Sequence, residues 1–273
     1  MDNIINTTES DILELLARFK FLVISQMQPI LGKSTGYVRL QLSRLVSKGY
    51  IKSFALAKPI KAEHMYYLTE SGAEIIAQHE RLFSTDIKLP IGTPLLVKDY
   101  DHRKNMISLN IALYYHLTRL GFTIQEQHSY FDKQGDNKKS GNLEARTKLL
   151  LGNDGRFFIP DGIMITEKDE KKTILLIEMY CDLSSTRVID QLHKHMLCIA
   201  AGSPATKFGI AANPLVLSAF EHDGIKQKTI ERVMAVRDFD LFQHLFYFGT
   251  LSQIQGDCGN AWHSINGDIL SFT

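Results

Sequence analysis

The stretch STGYVRLQLSRLVSKGYIKSFAL, residues 34–56, predicts a helix followed directly by a strand. Its first half carries apolar residues at the spacing of one helix face: Val38, Leu42 and Leu45. Ser34 precedes this run as a candidate N-cap, and Gly49 follows it as a helix stop. We therefore predict a helix over residues 34–48 and a strand over residues 50–56.

The segments on either side of this stretch complete a small domain. The predicted elements are helices at 11–21, with Ser10 as N-cap, and at 24–31, a strand at 64–68 after a turn at 58–61, and a helix at 73–82. Three helices, a hairpin with lysines at its tip and a closing helix are typical of a winged helix-turn-helix. In that fold the third helix enters the DNA major groove, and the hairpin lies along phosphates.

The charge distribution supports a polyanionic partner. Between Glu14 and Glu63 the chain has no acidic residue and nine basic ones, whereas its overall net charge is only +1. The residues that we expect to contact double-stranded DNA are Lys33, Thr35, Tyr37, Arg39, Gln41, Arg44, Lys58 and Lys61. A winged helix that contacts only proteins is the alternative.

The overall composition excludes several classes of protein. The chain has 273 residues, 44% hydrophobic and 22% charged, which excludes a mainly disordered chain, a collagen-like repeat and a disulfide scaffold. No apolar run reaches the roughly 18 residues that would span a bilayer. The three cysteines form no CxxC pair and suit a reducing cytoplasm, and the first residues do not resemble a secretory signal. Neither a P-loop nor a dinucleotide-binding glycine motif is present.

The second half of the sequence predicts an α/β domain. Residues 84–100 have no clear periodicity and contain prolines and a glycine, so we predict a linker there. The elements predicted after it are a helix at 102–120, strands at 122–128, 157–165 and 173–180, a helix at 187–201, a strand at 207–212 and a helix at 227–236. The predicted domains are therefore a winged helix over 1–83, the linker, and an α/β domain with a mixed central sheet over 101–273.

Two acidic residues mark a candidate site in this domain. Asp161 follows Pro160 within one predicted strand, and Glu178 interrupts a run of aliphatic residues in the next. A carboxylate in such a run is costly to bury unless it is paired, protonated or bound to a metal. If the strands are neighbours, the two carboxylates can meet and bind Mg²⁺ or Mn²⁺. The alternative is that Asp161 lies in a turn and Glu178 ends its strand in solvent.

The Pro160-Asp161 and Glu178-x-Tyr180 pattern resembles the PD-(D/E)XK nuclease superfamily. With the winged helix before it, the chain from about residue 9 to 240 resembles the replication-relaxation family, which includes MobC-type plasmid mobilisation relaxases. The resemblance implies metal-dependent nicking of double-stranded DNA at a plasmid origin, with transfer or replication proteins as further partners. It also implies Asp161, Glu178 and the carbonyl of Met179 as metal ligands.

One position departs from the superfamily pattern. The residue two after the glutamate is normally lysine, and here it is Tyr180. Either Lys194 of the next helix supplies the positive charge, or Tyr180 itself takes part as a nucleophile, or the site is inactive. In the last case the chain is a non-catalytic, sequence-specific DNA-binding protein on a degenerate nuclease fold. A zinc site formed by cysteines and histidines around residues 181–198 is a weaker alternative, because no known ligand spacing is present.

Overall fold

The computed structural model of this chain describes residues 5–55, 63–78, 87–90, 99–134, 143–152, 155–181 and 184–272. The chain divides into two compact units, Met1–Ile107 and Ser108–Thr273. The division lies inside a helix, a few residues after residue 101, which is the predicted start of the second domain.

The first unit contains helices and one small antiparallel sheet. Its elements are α1 (Thr7–Phe19), α2 (Ile24–Leu31), α3 (Thr35–Ser47), β1 (Ile51–Phe54), β2 (Met65–Leu68) and α4 (Glu70–Gln78). The two strands pair with Ile51 opposite Leu68 and Phe54 opposite Met65. The turn predicted at 58–61 lies outside the described residues.

Helix α1 begins one turn earlier than the apolar pattern predicts. Its N-cap is Asn6, whose Oδ1 accepts the Glu9 N–H at 2.9 Å, while Glu9 Oε2 accepts the Asn6 N–H at 3.0 Å. This reciprocal pair is a capping box. The predicted cap, Ser10, is instead a buried residue inside the helix. The prediction was wrong because it placed the cap next to the first apolar residue.

The start of α4 packs tightly against the end of the α3–β1 connection. Thr69 N donates to the Tyr50 carbonyl at 3.0 Å, and the Thr69 hydroxyl donates to the Gly49 carbonyl at 2.7 Å. A Cβ on Gly72 would lie 2.1 Å from the Tyr50 oxygen. Only glycine allows this approach, which fixes the closing helix against the hairpin.

The second unit is built around a mixed five-stranded sheet. The helix at the division is α5 (Tyr100–Arg119), and the elements after it are β3 (Thr123–Ser129), β4 (Lys133–Gln134), β5 (Glu144–Ala145), β6 (Leu149–Leu150), β7 (Phe157–Phe158), β8 (Gly162–Lys168), β9 (Lys171–Tyr180), α6 (Ser185–Ala200), α7 (Ser203–Phe208), β10 (Leu215–Phe220), α8 (Asp223–Val233), α9 (Phe239–Phe242), β11 (Phe246–Thr250) and α10 (Leu251–Gly256). The sheet order is β11-β10-β9-β8-β3. The pairs β11–β10 and β10–β9 are parallel, and β9–β8 and β8–β3 are antiparallel.

Strand β9 is covered on both faces, as its unbroken apolar run predicts. Ile174 and Leu176 belong to a buried cluster with residues of α6, α8 and β10. Leu175 and Ile177, which alternate with them and so point to the other face, are also at most 1% exposed. Because β9 lies in the middle of the sheet, Glu178 near its end occupies the interior of the unit.

The region between α6 and β10 differs from the prediction. Residues 207–212 were predicted as a strand, but Ser203–Phe208 forms α7, and the strand follows at Leu215–Phe220. Gly202 and Gly209 have positive φ at the two ends of this short helix, and Pro204 lies in its first turn. The Lys207 ammonium donates to the carbonyls of Arg146 and Lys148, so a contact distant in sequence stabilises the helix.

Candidate functional site

Helix α3 has one buried face and one exposed face. Ser34 caps it by accepting the Tyr37 N–H at 3.3 Å. The buried residues are Val38, Gln41, Leu42 and Leu45. The other side exposes the residues Gly36, Arg39, Leu40, Ser43 and Arg44. The helix therefore presents a complete side to solvent with two arginines on it.

Most of the predicted DNA contacts in the described part of this unit lie at the surface. These exposed residues are Lys33, Thr35, Tyr37, Arg39 and Arg44. Lys52 of β1 is also exposed. The predicted hairpin residues Lys58 and Lys61 lie outside the described residues.

The side chains of two polar residues in this region form contacts that stabilise the fold. Gln41 is 1% exposed, and its Oε1 accepts a hydrogen bond from Asn6 Nδ2 at 3.0 Å. Gln41 is therefore not at the surface, where the predicted DNA contact would need it, because it fixes the start of α1 against α3. Lys48 at the end of α3 forms an ion pair with the buried Glu9, with Nζ 2.8 Å from Oε2.

The second unit brings together the two predicted acidic residues. Asp161 stands immediately before β8, and Glu178 lies near the end of β9, which is the neighbouring strand. The Asp161 carboxylate accepts the Met179 N–H through Oδ2 at 2.9 Å. Asp161, Glu178 and Met179 are therefore neighbours, although they are separated along the chain.

Glu178 forms a buried pair with a histidine of α6. His195 Nε2 lies 2.8 Å from Glu178 Oε1, and both side chains are 0% exposed. The Phe158 ring packs edge-on against the imidazole with ring centroids 4.6 Å apart. Burial lowers the pKa of His195 to about 3. The imidazole is therefore neutral at neutral pH, and a hydrogen bond joins its Nε2 to the Glu178 carboxyl group.

The sequence offered a signal for His195, but not for its partner. His195 stands on the apolar face of α6 in line with Val188, Leu192 and Ile199, a place where a histidine needs a hydrogen-bond partner. Which buried group provides it depends on the packing of α6 on β9, and that packing cannot be obtained from periodicity.

Tyr180 occupies the position of the superfamily lysine, but it is not arranged as a nucleophile. Its side chain is 5% exposed and packs against the Phe220 ring with centroids 4.9 Å apart. Burial and the charges of Glu178 and Asp161 raise its pKa well above the ordinary value. The phenolate needed for attack on phosphorus is therefore disfavoured.

Lys194 does not replace the missing lysine. Its ammonium pairs with Asp190 one turn earlier on α6, with Nζ 2.6 Å from Oδ2, and its side chain is 39% exposed. The adjacent His195, not Lys194, projects into the interior toward Glu178. The predicted catalytic set of Asp161, Glu178, Tyr180 and Lys194 thus converges only in its first three members.

As arranged, the acidic residues do not fit a bound Mg²⁺ or Mn²⁺. One oxygen of Asp161 accepts a main-chain N–H, one oxygen of Glu178 is occupied by His195, and Glu178 has no exposure to solvent. A hydrated divalent ion requires several oxygen ligands and room for water. Among the described residues, no group of three or more histidine, cysteine, aspartate or glutamate side chains is placed to hold a metal ion.

Comparisons with known proteins add little to this geometry. No family model and no curated protein matches the chain. Among solved structures, the chain is similar to a mutant of Lactococcus lactis ZitR in complex with DNA, at 18% identity and a TM-score of 0.26. The match covers 44% of this chain and 77% of that one. Within the described part of the chain, no helix combines the length and apolarity needed to cross a membrane.

Proposed function

We propose that this chain is a sequence-specific, double-stranded DNA-binding protein whose second unit has a nuclease-like acidic site without catalytic activity. The observation that carries the proposal is the exposed side of α3, which presents Arg39 and Arg44 on a helix whose other face is buried. The role fits a replication or mobilisation accessory protein, in line with the resemblance to the replication-relaxation family.

The geometry of α3 supports binding in the major groove. An α-helix fits the width of that groove, and arginine donates two parallel hydrogen bonds to guanine or contacts phosphate. Helix α3 has 13 residues and is held from behind by the hydrogen bond between Gln41 and Asn6. This hydrogen bond therefore fixes the side of α3 that would meet DNA relative to α1.

The arrangement around Glu178 supports the absence of catalysis. The neutral His195 holds the carboxylate in the interior, and the lysine position carries a buried tyrosine. To bind an ion or to help stabilise a phosphate, Glu178 or His195 would first have to break the hydrogen bond between them. We infer that the Glu178–His195 pair joins β9 to α6 and has a structural role.

The test of DNA binding uses a duplex enriched from a randomised library by the full chain. Arg44→Ala should weaken binding by about 10- to 100-fold if Arg44 contacts a base, or reduce the salt dependence by about one charge if it contacts phosphate. Arg237→Ala is the matched control, because Arg237 is a 94% exposed arginine of the second unit. Equal affinity and equal salt dependence of wild type and Arg44→Ala would contradict the proposal.

Metal-dependent nicking is the second candidate function. It is favoured by the meeting of Asp161 and Glu178 beside Met179 at neighbouring strands. The experiment incubates supercoiled plasmid carrying the enriched site with the protein and Mg²⁺ or Mn²⁺. Open circles formed by wild type but not by Asp161→Asn or Glu178→Gln would establish nicking and refute the non-catalytic role. No conversion by any of the three is the result that we expect.

A further inference from the structure

Leu40 occupies an unusual place for a leucine. It is 48% exposed and lies two residues from both Val38 and Leu42, which are fully buried. Two residues along a helix correspond to a rotation of about 200°, so Leu40 points directly away from the core of the first unit. Burial within the unit therefore gives no reason for an apolar residue at this position.

The surroundings of Leu40 combine small side chains, one exposed tyrosine and positive charge. Its neighbours one turn away are Gly36, Tyr37, Ser43 and Arg44, of which Tyr37 is 40% exposed, and Arg39 precedes it. The glycine and the serine leave Leu40 projecting from this side, with an arginine on each flank. Apolar surface between cations matches an apolar group on a polyanion.

Gly36 is not required by the fold. A Cβ at this position would meet nothing within 4 Å, and Gly36 is not among the glycines with positive φ. Glycine also loses more conformational freedom on folding than alanine would at the same position. A glycine that neither packing nor backbone conformation requires is consistent with the close approach of an external molecule to the helix.

We infer that Leu40 reads the C5-methyl group of a thymine in the major groove, and that Gly36 lets the DNA approach the first turn of α3. The inference rests on the proposed DNA-binding function and specifies one element of the recognised sequence. The thymine methyl is the apolar group that the major groove presents, and apolar side chains recognise it by contact. The flanking arginines hold the helix on the phosphates or on guanine.

The experiment removes the methyl group from the DNA and the apolar side chain from the protein. A fluorescein-labelled duplex from the enriched pool is compared with versions in which each thymine in turn is replaced by deoxyuridine. For wild type, we expect about a fourfold loss of affinity at one thymine, which is the value of one buried methyl-sized group. Leu40→Ala should bind more weakly and show no further loss at that thymine.

Two further variants make the result specific. Val46→Ala removes another apolar side chain of α3, which is 42% exposed and lies about 120° from Leu40 around the helix. This variant should lose as much affinity as wild type does when the thymine is replaced by deoxyuridine. Gly36→Ala should be at least as resistant to urea as wild type and yet bind the duplex more weakly. Affinity of Gly36→Ala equal to that of wild type would contradict the role of Gly36.

The outcomes separate this inference from the function on which it rests. If wild type enriches no duplex, the proposed function fails. If Arg44→Ala weakens binding but no deoxyuridine changes it, or if Leu40→Ala retains the same penalty, DNA binding stands and the thymine contact is refuted. If Leu40→Ala instead alters the sedimentation of the free protein and leaves DNA binding intact, Leu40 contacts a second copy of the chain, and the inference is overturned.

Discussion

Mild acid should weaken the second unit through the protonation of His195. The imidazole is fully buried, and its pKa falls from 6.5 to about 3 in the folded chain. Because the folded pKa lies below the unfolded one, the unfolded state binds the proton first as the pH falls. Stability is therefore complete above about pH 6.5 and decreases as the pH falls toward 3.

The size of this loss of stability follows from the folded and unfolded pKa values of His195. Each pH unit well below 6.5 costs about 1.4 kcal/mol for one proton, so lowering the pH from 7 to 5.5 costs on the order of 1 kcal/mol. The control is His195→Gln, which keeps an N–H donor for Glu178 but has no group that titrates. The difference in pH dependence between the two proteins isolates His195 from the other nine histidines.

The assay is urea unfolding followed by tryptophan fluorescence. The chain has a single tryptophan, Trp262, which is fully buried in the same unit as His195, so its emission reports on that unit. Wild type should lose about 1 kcal/mol more than His195→Gln between pH 7 and pH 5.5. Equal losses would mean that His195 is not held neutral by burial, and this explanation of the pH dependence would be refuted.

Three further substitutions test other parts of the structure. Gly72→Ala places a methyl group 2.1 Å from the Tyr50 oxygen, so the first unit should unfold at lower urea by far-ultraviolet circular dichroism; unchanged stability would contradict the tight packing there. Asn6→Ala removes the α1 cap and the hydrogen bond to Gln41, and should cost about 1–2 kcal/mol in the same assay; no measurable cost is the contrary result. Tyr180→Phe removes a buried hydroxyl and should change stability by less than about 1 kcal/mol and leave DNA affinity intact; plasmid nicking by wild type that this variant lacks would show that the hydroxyl reacts.

The sequence predicted those elements in which periodicity and local signals agree. Helix α3 has an apolar stripe and a serine cap, and β9 has an unbroken apolar run, so both were located within a few residues. The strand predicted at 207–212 instead covers the end of α7 and part of the connection to β10, because a helix of six residues carries too little periodicity. The helix is anchored by the contact of Lys207 with carbonyls about 60 residues earlier.

The candidate sites, like the fold, could be predicted from the sequence only in part. That Asp161 and Glu178 would meet could be predicted from neighbouring strands, because the turn between β8 and β9 is short. That Glu178 would bind His195, and that Gln41 would turn inward to Asn6, could not be predicted. Both contacts join elements by side chains whose directions depend on how the helices pack.

The central claim is that α3 recognises a DNA sequence without a divalent ion. The most direct measurement is fluorescence anisotropy of the enriched duplex and of a shuffled duplex of equal composition, titrated with the full chain in buffer containing EDTA. The account predicts binding to the enriched duplex that is about 10³-fold tighter or more at physiological salt. Equal affinity for the two duplexes, or binding that appears only when Mg²⁺ is added, would contradict it.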